Sequence, residues 1–159
     1  MTRPFAEATI DIEASPACVW AVMLDLPRYH EWNPFIVGVE HSGPAALDAA
    51  LRLRVRWNDG TGASSGERIT ELTAPDGERP GRLAYRFTGL LPTLGLVRAT
   101  RIQQITPLPG GHTRYFTREE FAGLLTRFLP LAKVRDGFDR HARALKARAE
   151  ALASAPEAR

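Results

Sequence analysis

The chain has 159 residues, 44% hydrophobic and 25% charged, with 21 basic against 18 acidic side chains and a net charge of +3. That is the balance of one globular domain with a sizeable core; no run approaches the roughly 18 apolar residues of a membrane helix, and acids stand where a signal peptide would be apolar, so a cytoplasmic location is expected. A single cysteine, Cys18, excludes an internal disulfide or a cysteine-rich metal site and reads as a small buried hydrophobe.

Thr9 to Glu13 alternates apolar and polar residues as a first strand does. Ser15 and Pro16 then open a helix, the hydroxyl placed to cap an amide and the proline at a position where its missing N–H costs nothing. Val19, Trp20, Met23 and Leu24 give that helix a face to bury, and Pro27 ends it. Tyr29, Trp32 and Phe35 follow at three-residue spacing around the turn pair Asn33–Pro34, an aromatic hinge that closes a core or forms the mouth of a pocket. Strand character resumes from Phe35 to Glu40. Leu51, Leu53, Val55 and Trp57 then alternate with Arg52, Arg54 and Arg56, predicting a strand with one covered face and arginines in water. Asn58, Asp59 and Gly60 open a long polar turn.

Glu67 to Thr73, Arg82 to Thr88, Val97 to Thr106 and Thr113 to Phe121 bring the count to seven strands, joined by turns rich in proline and glycine. From Leu131 to Ala153 the period becomes helical, with Val134, Phe138, His141 or Ala142, Leu145 and Leu152 on one side. Basic residues along this helix are interrupted by Asp136, Asp139 and Glu150, which suits a solvated face laced with ion pairs and speaks against a nucleic-acid stripe. The expectation is one domain over residues 1–153 with a frayed tail at 154–159: an α+β fold in which a curved, seven-stranded antiparallel sheet wraps a long C-terminal helix, with two short helices after the first strand.

This order, with SPACVWAVMLD, the YHEWNPF turn, LAYRFTG, TRYFTREEFAGLL and the closing GFDRHARALKARAE, resembles the START/Bet v 1-like superfamily, also called polyketide cyclase/dehydrase-like or SRPBCC proteins. The resemblance spans nearly the whole chain and implies a helix-grip fold whose cavity, between sheet and terminal helix, serves across members for lipids, sterols, polyketides or plant hormones.

A strongly bent sheet cannot press its whole concave face against one helix, so a hollow between them is expected, and an apolar hollow with few polar groups is a binding site by default. Its candidate wall is Trp57, Tyr85 and Phe87 from strands, Trp32 and Phe35 from the hinge, and Val134 and Phe138 from the helix. Arg101 and Gln103 share strand parity with Val97, Ala99 and Ile105, while Thr117 and Glu119 share parity with Tyr115 and Phe121, which turns them toward the hollow. A buried charge is costly alone, so Arg101 and Glu119 should pair or meet a polar ligand group; a one-residue slip of register would turn both outward. His141, at the edge of the helical stripe, completes the candidate set. Metal-ligand spacing, a phosphate-cradling loop and a nucleophile elbow are all missing from the pattern, so neither cofactor nor metal is expected and no catalytic set declares itself.

The sequence favours a binding or carrier domain for a small hydrophobic ligand, lipid, sterol or polyketide-like, whose carboxyl, hydroxyl or keto group meets Arg101, Gln103 or Tyr115. A polyketide aromatase/cyclase-like enzyme is the alternative, with Tyr115, Arg101, Glu119 or His141 as acid, base or oxyanion donor; a third reading is a protein-interaction module with a collapsed pocket. The partner expected is a small hydrophobic molecule rather than nucleic acid, without a transmembrane segment, and a homodimer is compatible with the pattern.

Overall fold

A computed structural model describes residues 3–155. Seven strands form one antiparallel sheet: β1 (Phe5–Ile12), β2 (Ile36–His41), β3 (Ala50–Arg56), β4 (Gly62–Thr73), β5 (Gly81–Thr88), β6 (Arg98–Leu108) and β7 (His112–Ala122), in the spatial order β1-β7-β6-β5-β4-β3-β2. Strands β2 to β7 thus run as a meander, and β1 returns to the free edge of β7. Register shifts at Ile36/Gly38 and Ile69/Glu71 put a bulge near each bend, and the extra residue there increases the local twist that curls the sheet. The helices are α1 (Pro16–Leu24), α2 (Tyr29–Trp32), α3 (Leu90–Thr93) and the long α4 (Leu131–Ser154), which lies in the concave face.

Local signals explain the elements. Ser15 caps α1 by accepting the Cys18 amide at 3.2 Å, with Pro16 at its first turn. In β3 the arginines are exposed while Leu51 and Leu53 are buried, as two-residue alternation requires. Helix α4 buries Val134, Gly137, Phe138, His141, Ala142, Leu145 and Ala149. Its outer side carries the ion pairs Arg140–Asp136, Lys146–Glu150 and Arg148–Glu31.

Several expectations are corrected in detail. Leu152 is exposed and Ala149 takes the last buried position, where α4 packs on Cys18 of α1. Pro27 lies within a short 3-10 turn, Leu26–Arg28, after α1 has already ended at Leu24. The turn after β3 is tight, since β4 begins at Gly62, and α3 was not foreseen. Cys18 is half-buried rather than buried, with its thiol 3.6 Å from the Ala149 carbonyl oxygen. Ser154 belongs to α4; of the expected tail, residues 156–159 lie outside the described residues.

Candidate functional site

The concave face is apolar along most of its length, and beneath the first half of α4 it does not close. A chamber of about 200 Å3 remains there, walled by Leu53, Val55, Trp57, Tyr85, Phe87, Ala99, Phe121, Val134 and Phe138, with Phe35, Leu129 and Pro130 also in its lining. Phe35 sets one end of the wall: its ring packs against Trp57, centroids 5.7 Å apart, and edge-on to Phe138 at 6.0 Å. Gly137 makes that packing possible. A Cβ there would sit 2.4 Å from the Phe35 ring, so the glycine, which weakens the helix, lets the aromatic approach its backbone.

A polar row crosses the chamber floor. Tyr85 lies opposite Arg101, and Arg101 opposite Glu119, on three adjacent strands; Glu67 stands two residues before Ile69, the partner of Tyr85. Arg101 is 3% exposed. Its Nε donates to Thr117 Oγ1 at 2.9 Å, its Nη1 to the Tyr85 hydroxyl at 3.2 Å, and its guanidinium lies 4.1 Å from the Phe138 ring centroid. Its Nη2 has no hydrogen-bond partner, and among the described residues it forms no ion pair.

The two carboxyls of the floor feel burial more than they feel the arginine. Burial and the neighbouring Glu119 push Glu67 up to about 8, while burial raises Glu119 to about 7 against the pull of Arg101. Burial opposes the charge on Arg101, yet Tyr85, Tyr115 and Glu119 outweigh it and hold the guanidinium protonated. Burial likewise lifts the Tyr85 phenol. The floor therefore offers one fixed cation with an unused N–H and two carboxyls that titrate near neutrality.

A second polar patch on the same face is closed. Asn33 Oδ1 accepts the Phe35 and Ile36 amides at 3.0 and 2.9 Å, which orients its Nδ2 toward His141 Nδ1, 3.0 Å away. Nδ1 is then the acceptor and the ring proton sits on Nε2, which is buried without a hydrogen-bond partner but lies outside the chamber lining. Burial, reinforced by Arg101, holds His141 well below the ordinary histidine range, so the imidazole is neutral. Tyr115 stacks on it at 5.8 Å and donates to Gln103 Oε1 at 2.7 Å, while Trp32 meets the imidazole edge-on.

The structure thus divides the residues singled out in the sequence. Phe35, Trp57, Tyr85, Phe87, Arg101, Glu119, Val134 and Phe138 line the chamber. Trp32, Gln103, Tyr115 and His141 do not, because the Asn33 hinge and α2 cover that end of the sheet and engage them with one another. Arg101 and Glu119 face the chamber without pairing. Glu67 was missed, although its shared parity with the buried Ile69 is a usable signal. Gly137 interrupting a strong helical pattern was another. Among the described residues no group of three or more His, Cys, Asp or Glu is placed to hold a metal, and no helix is long and apolar enough to cross a membrane.

Comparison with known proteins agrees with this architecture. A family model described as polyketide cyclase/dehydrase and lipid transport matches residues 5–150, and the chain belongs to that family. Among solved structures, the Zhui aromatase/cyclase from Streptomyces sp. R1128 superposes with a TM-score of 0.73 at 18% identity, over 94% of each chain. A START superfamily protein from Mycobacterium smegmatis gives 0.67 at 19% identity, over 93% of this chain and 98% of that one. A major latex-like protein from Panax ginseng gives 0.70 at 10% identity, over 91% and 96%. These likenesses, none above 19% identity, show the helix-grip fold. No curated protein sequence matches the chain.

Proposed function

We propose that this member of the polyketide cyclase/dehydrase and lipid transport family binds a compact, largely apolar molecule in the chamber, with one oxygen-bearing group set against Arg101. The observation that carries the reading is the buried guanidinium with an unpartnered Nη2 on the floor of an otherwise apolar hollow. Protein interiors rarely leave such a donor unused, and a hydroxyl, keto or carboxylate oxygen of a guest would occupy it. Size narrows the guest. A cavity of roughly 150 Å3 holds benzene, so about 200 Å3 suits one or two fused rings or a short branched chain better than a sterol. The chamber also tells against a collapsed pocket.

Trp57 in the wall gives the experiment. Its fluorescence should change on titration with 2-naphthol more than with naphthalene, and Arg101→Met should erase the difference between the two. Absence of any response to either probe, together with nothing apolar extractable from the purified protein, would overturn the proposal.

The second reading, an aromatase/cyclase-like enzyme, is favoured by one specific observation: Glu119 and Glu67 both titrate near neutrality beside the cation and face the chamber. Groups poised in this range serve as proton donors and acceptors. In this version Arg101 stabilises a developing enolate and the carboxyls move the proton; Tyr115 and His141 lie outside the chamber lining and do not take part. Turnover of a reactive polyketone that survives Glu67→Gln and Glu119→Gln alike would eliminate it.

A further inference from the structure

Two loops at the chamber end of the molecule expose apolar side chains that the fold leaves uncovered. Leu90 and Leu94 project from the β5–β6 connection at 72% and 59% exposure, and Leu124 and Phe128 from the β7–α4 connection at 77% and 67%. The loops are one structural unit: the Leu125 amide donates to the Leu96 carbonyl at 2.9 Å. At the junction Gly123 adopts φ 122°, with Leu96 O 2.5 Å from where a Cβ would stand. Isolated exposed leucines need no explanation, but four large apolar side chains on two hydrogen-bonded loops gather exposed apolar surface of the kind that marks an interaction site.

The charge around the patch selects the partner. Residues 79–118 and 121–135 contain no aspartate or glutamate. Arg86, Arg98 and Arg127 border the two loops and form no ion pair among the described residues. Arg127 lies over the Phe128 ring at 4.7 Å, an aromatic and a cation presented together. Arg86 and Arg98 flank a groove of about 380 Å3 beside α3. Of the acids outside these stretches, Glu120 is engaged by Arg118 and Asp59 by Lys133. A second copy of this surface would oppose like charges. The same loops supply Val97, Leu129 and Pro130 to the chamber lining, beside Phe121 at the end of β7, so the patch adjoins one wall of the chamber.

We propose that this tip docks on an anionic phospholipid bilayer, leucines and Phe128 entering the acyl boundary while Arg86, Arg98 and Arg127 meet headgroup phosphates. The chamber wall that these loops contribute then stands against the phase in which an apolar guest dissolves. This goes beyond ligand binding and fails separately from it, because empty vesicles carry no chamber ligand.

Co-sedimentation with vesicles of phosphatidylcholine containing about 30% phosphatidylglycerol should exceed that with pure phosphatidylcholine by roughly tenfold. It should fall as NaCl rises from about 50 to about 500 mM. Leu124→Ser with Phe128→Ser should abolish binding to both vesicle types, whereas Arg86→Gln, Arg98→Gln and Arg127→Gln together should remove only the preference for anionic lipid. All these side chains are surface groups, and an unchanged thermal melt verifies that the variants fold. Failure to sediment with either vesicle, binding indifferent to both sets of substitutions, or a dimer in sedimentation equilibrium that Leu124→Ser with Phe128→Ser dissolves would each overturn the proposal.

Discussion

The chamber floor and the Asn33–His141 network stand on the same concave face, placed there by the same strand alternation, yet one is open and the other closed. Gln103 and Arg101 are neighbours on one face of β6, and Tyr115 and Glu119 share a face of β7. What differs is the covering element. The hinge before β2 lays Asn33 over one end, where it binds His141 Nδ1 and leaves His141 Nε2 packed among aromatic rings without a partner, whereas at the other end α4 offers Phe138, which covers Arg101 without hydrogen-bonding it beside an open chamber. Buried polar groups that are mutually satisfied specify a packing; those left with an unused donor beside a void are available to a guest.

The sharpest test of this contrast removes one member from each patch. Asn33→Ala strands the Phe35 and Ile36 amides and leaves His141 Nδ1 unpartnered, all of them buried. With each orphaned group costing about 1–3 kcal/mol, the expected loss is about 4 kcal/mol in urea unfolding. Arg101→Met removes a buried charge that has no carboxylate partner, and relief of that desolvation offsets the hydrogen bonds lost by Thr117 and Tyr85, so unfolding free energy should stay within about 1 kcal/mol of wild type. Affinity for 2-naphthol should instead fall roughly 100-fold, or about 2.7 kcal/mol. An Arg101 variant as unstable as the Asn33 variant would break the comparison and make the floor a structural network too.

Why the sequence distinguished these regions only partly is now clear in physical terms. Alternation is a local property, and it correctly turned Arg101, Gln103, Thr117 and Glu119 to one face. It carries no information about what lies above that face. Whether a polar residue meets Asn33 or a void depends on a contact 108 residues distant, Asn33 to His141, which no period records. The same limit separated Tyr85, in the lining, from Tyr115, in the network. Glu67 escaped because the bulge beyond Ile69 breaks the alternation of β4, so its parity holds only on one side. The strand order and α4 were legible because seven period-2 runs and one period-3.6 run are strong signals; α3, four residues long with a proline, is not.

Gly137 joins the two regions, since it packs on Phe35, whose amide donates to Asn33 Oδ1 and whose ring lines the chamber. Gly137→Ala gains about 1 kcal/mol of helix propensity but drives a Cβ into a buried ring that has little room to retreat. Overpacking of this kind costs about 1–3 kcal/mol, for an expected net loss of about 1 kcal/mol and a weaker response of Trp57 to 2-naphthol. A variant stabilised by the full propensity gain would mean that Phe35 yields freely and does not hold the wall.

The smallest expected effect lies in the pH dependence, where the two patches have opposite signs. Glu67 and Glu119 stand at about 8 and about 7, above their ordinary 4.5, so between these values the folded state holds more protons than the unfolded one. Their contribution to stability therefore declines as pH rises from about 4.5, and the decline is complete above about 8. His141 is depressed instead, so the folded state holds fewer protons than the unfolded one below the ordinary value of 6.5, and its contribution declines as pH falls through that range. From pH 6.5 upward the carboxyls act alone among these three groups. Water reaching the floor through the open chamber solvates the carboxylates as they form, which limits the loss to about 1 kcal/mol, or about 3 °C in Tm between about pH 6.5 and about pH 8.5. Glu67→Gln should flatten that slope by about half, leaving the share of Glu119, while Asn33→Ala should lower Tm throughout without altering it. A wild-type melting temperature that rises over this interval would mean that neither carboxyl pays a burial penalty, and the floor would lose its distinction from an ordinary solvated surface.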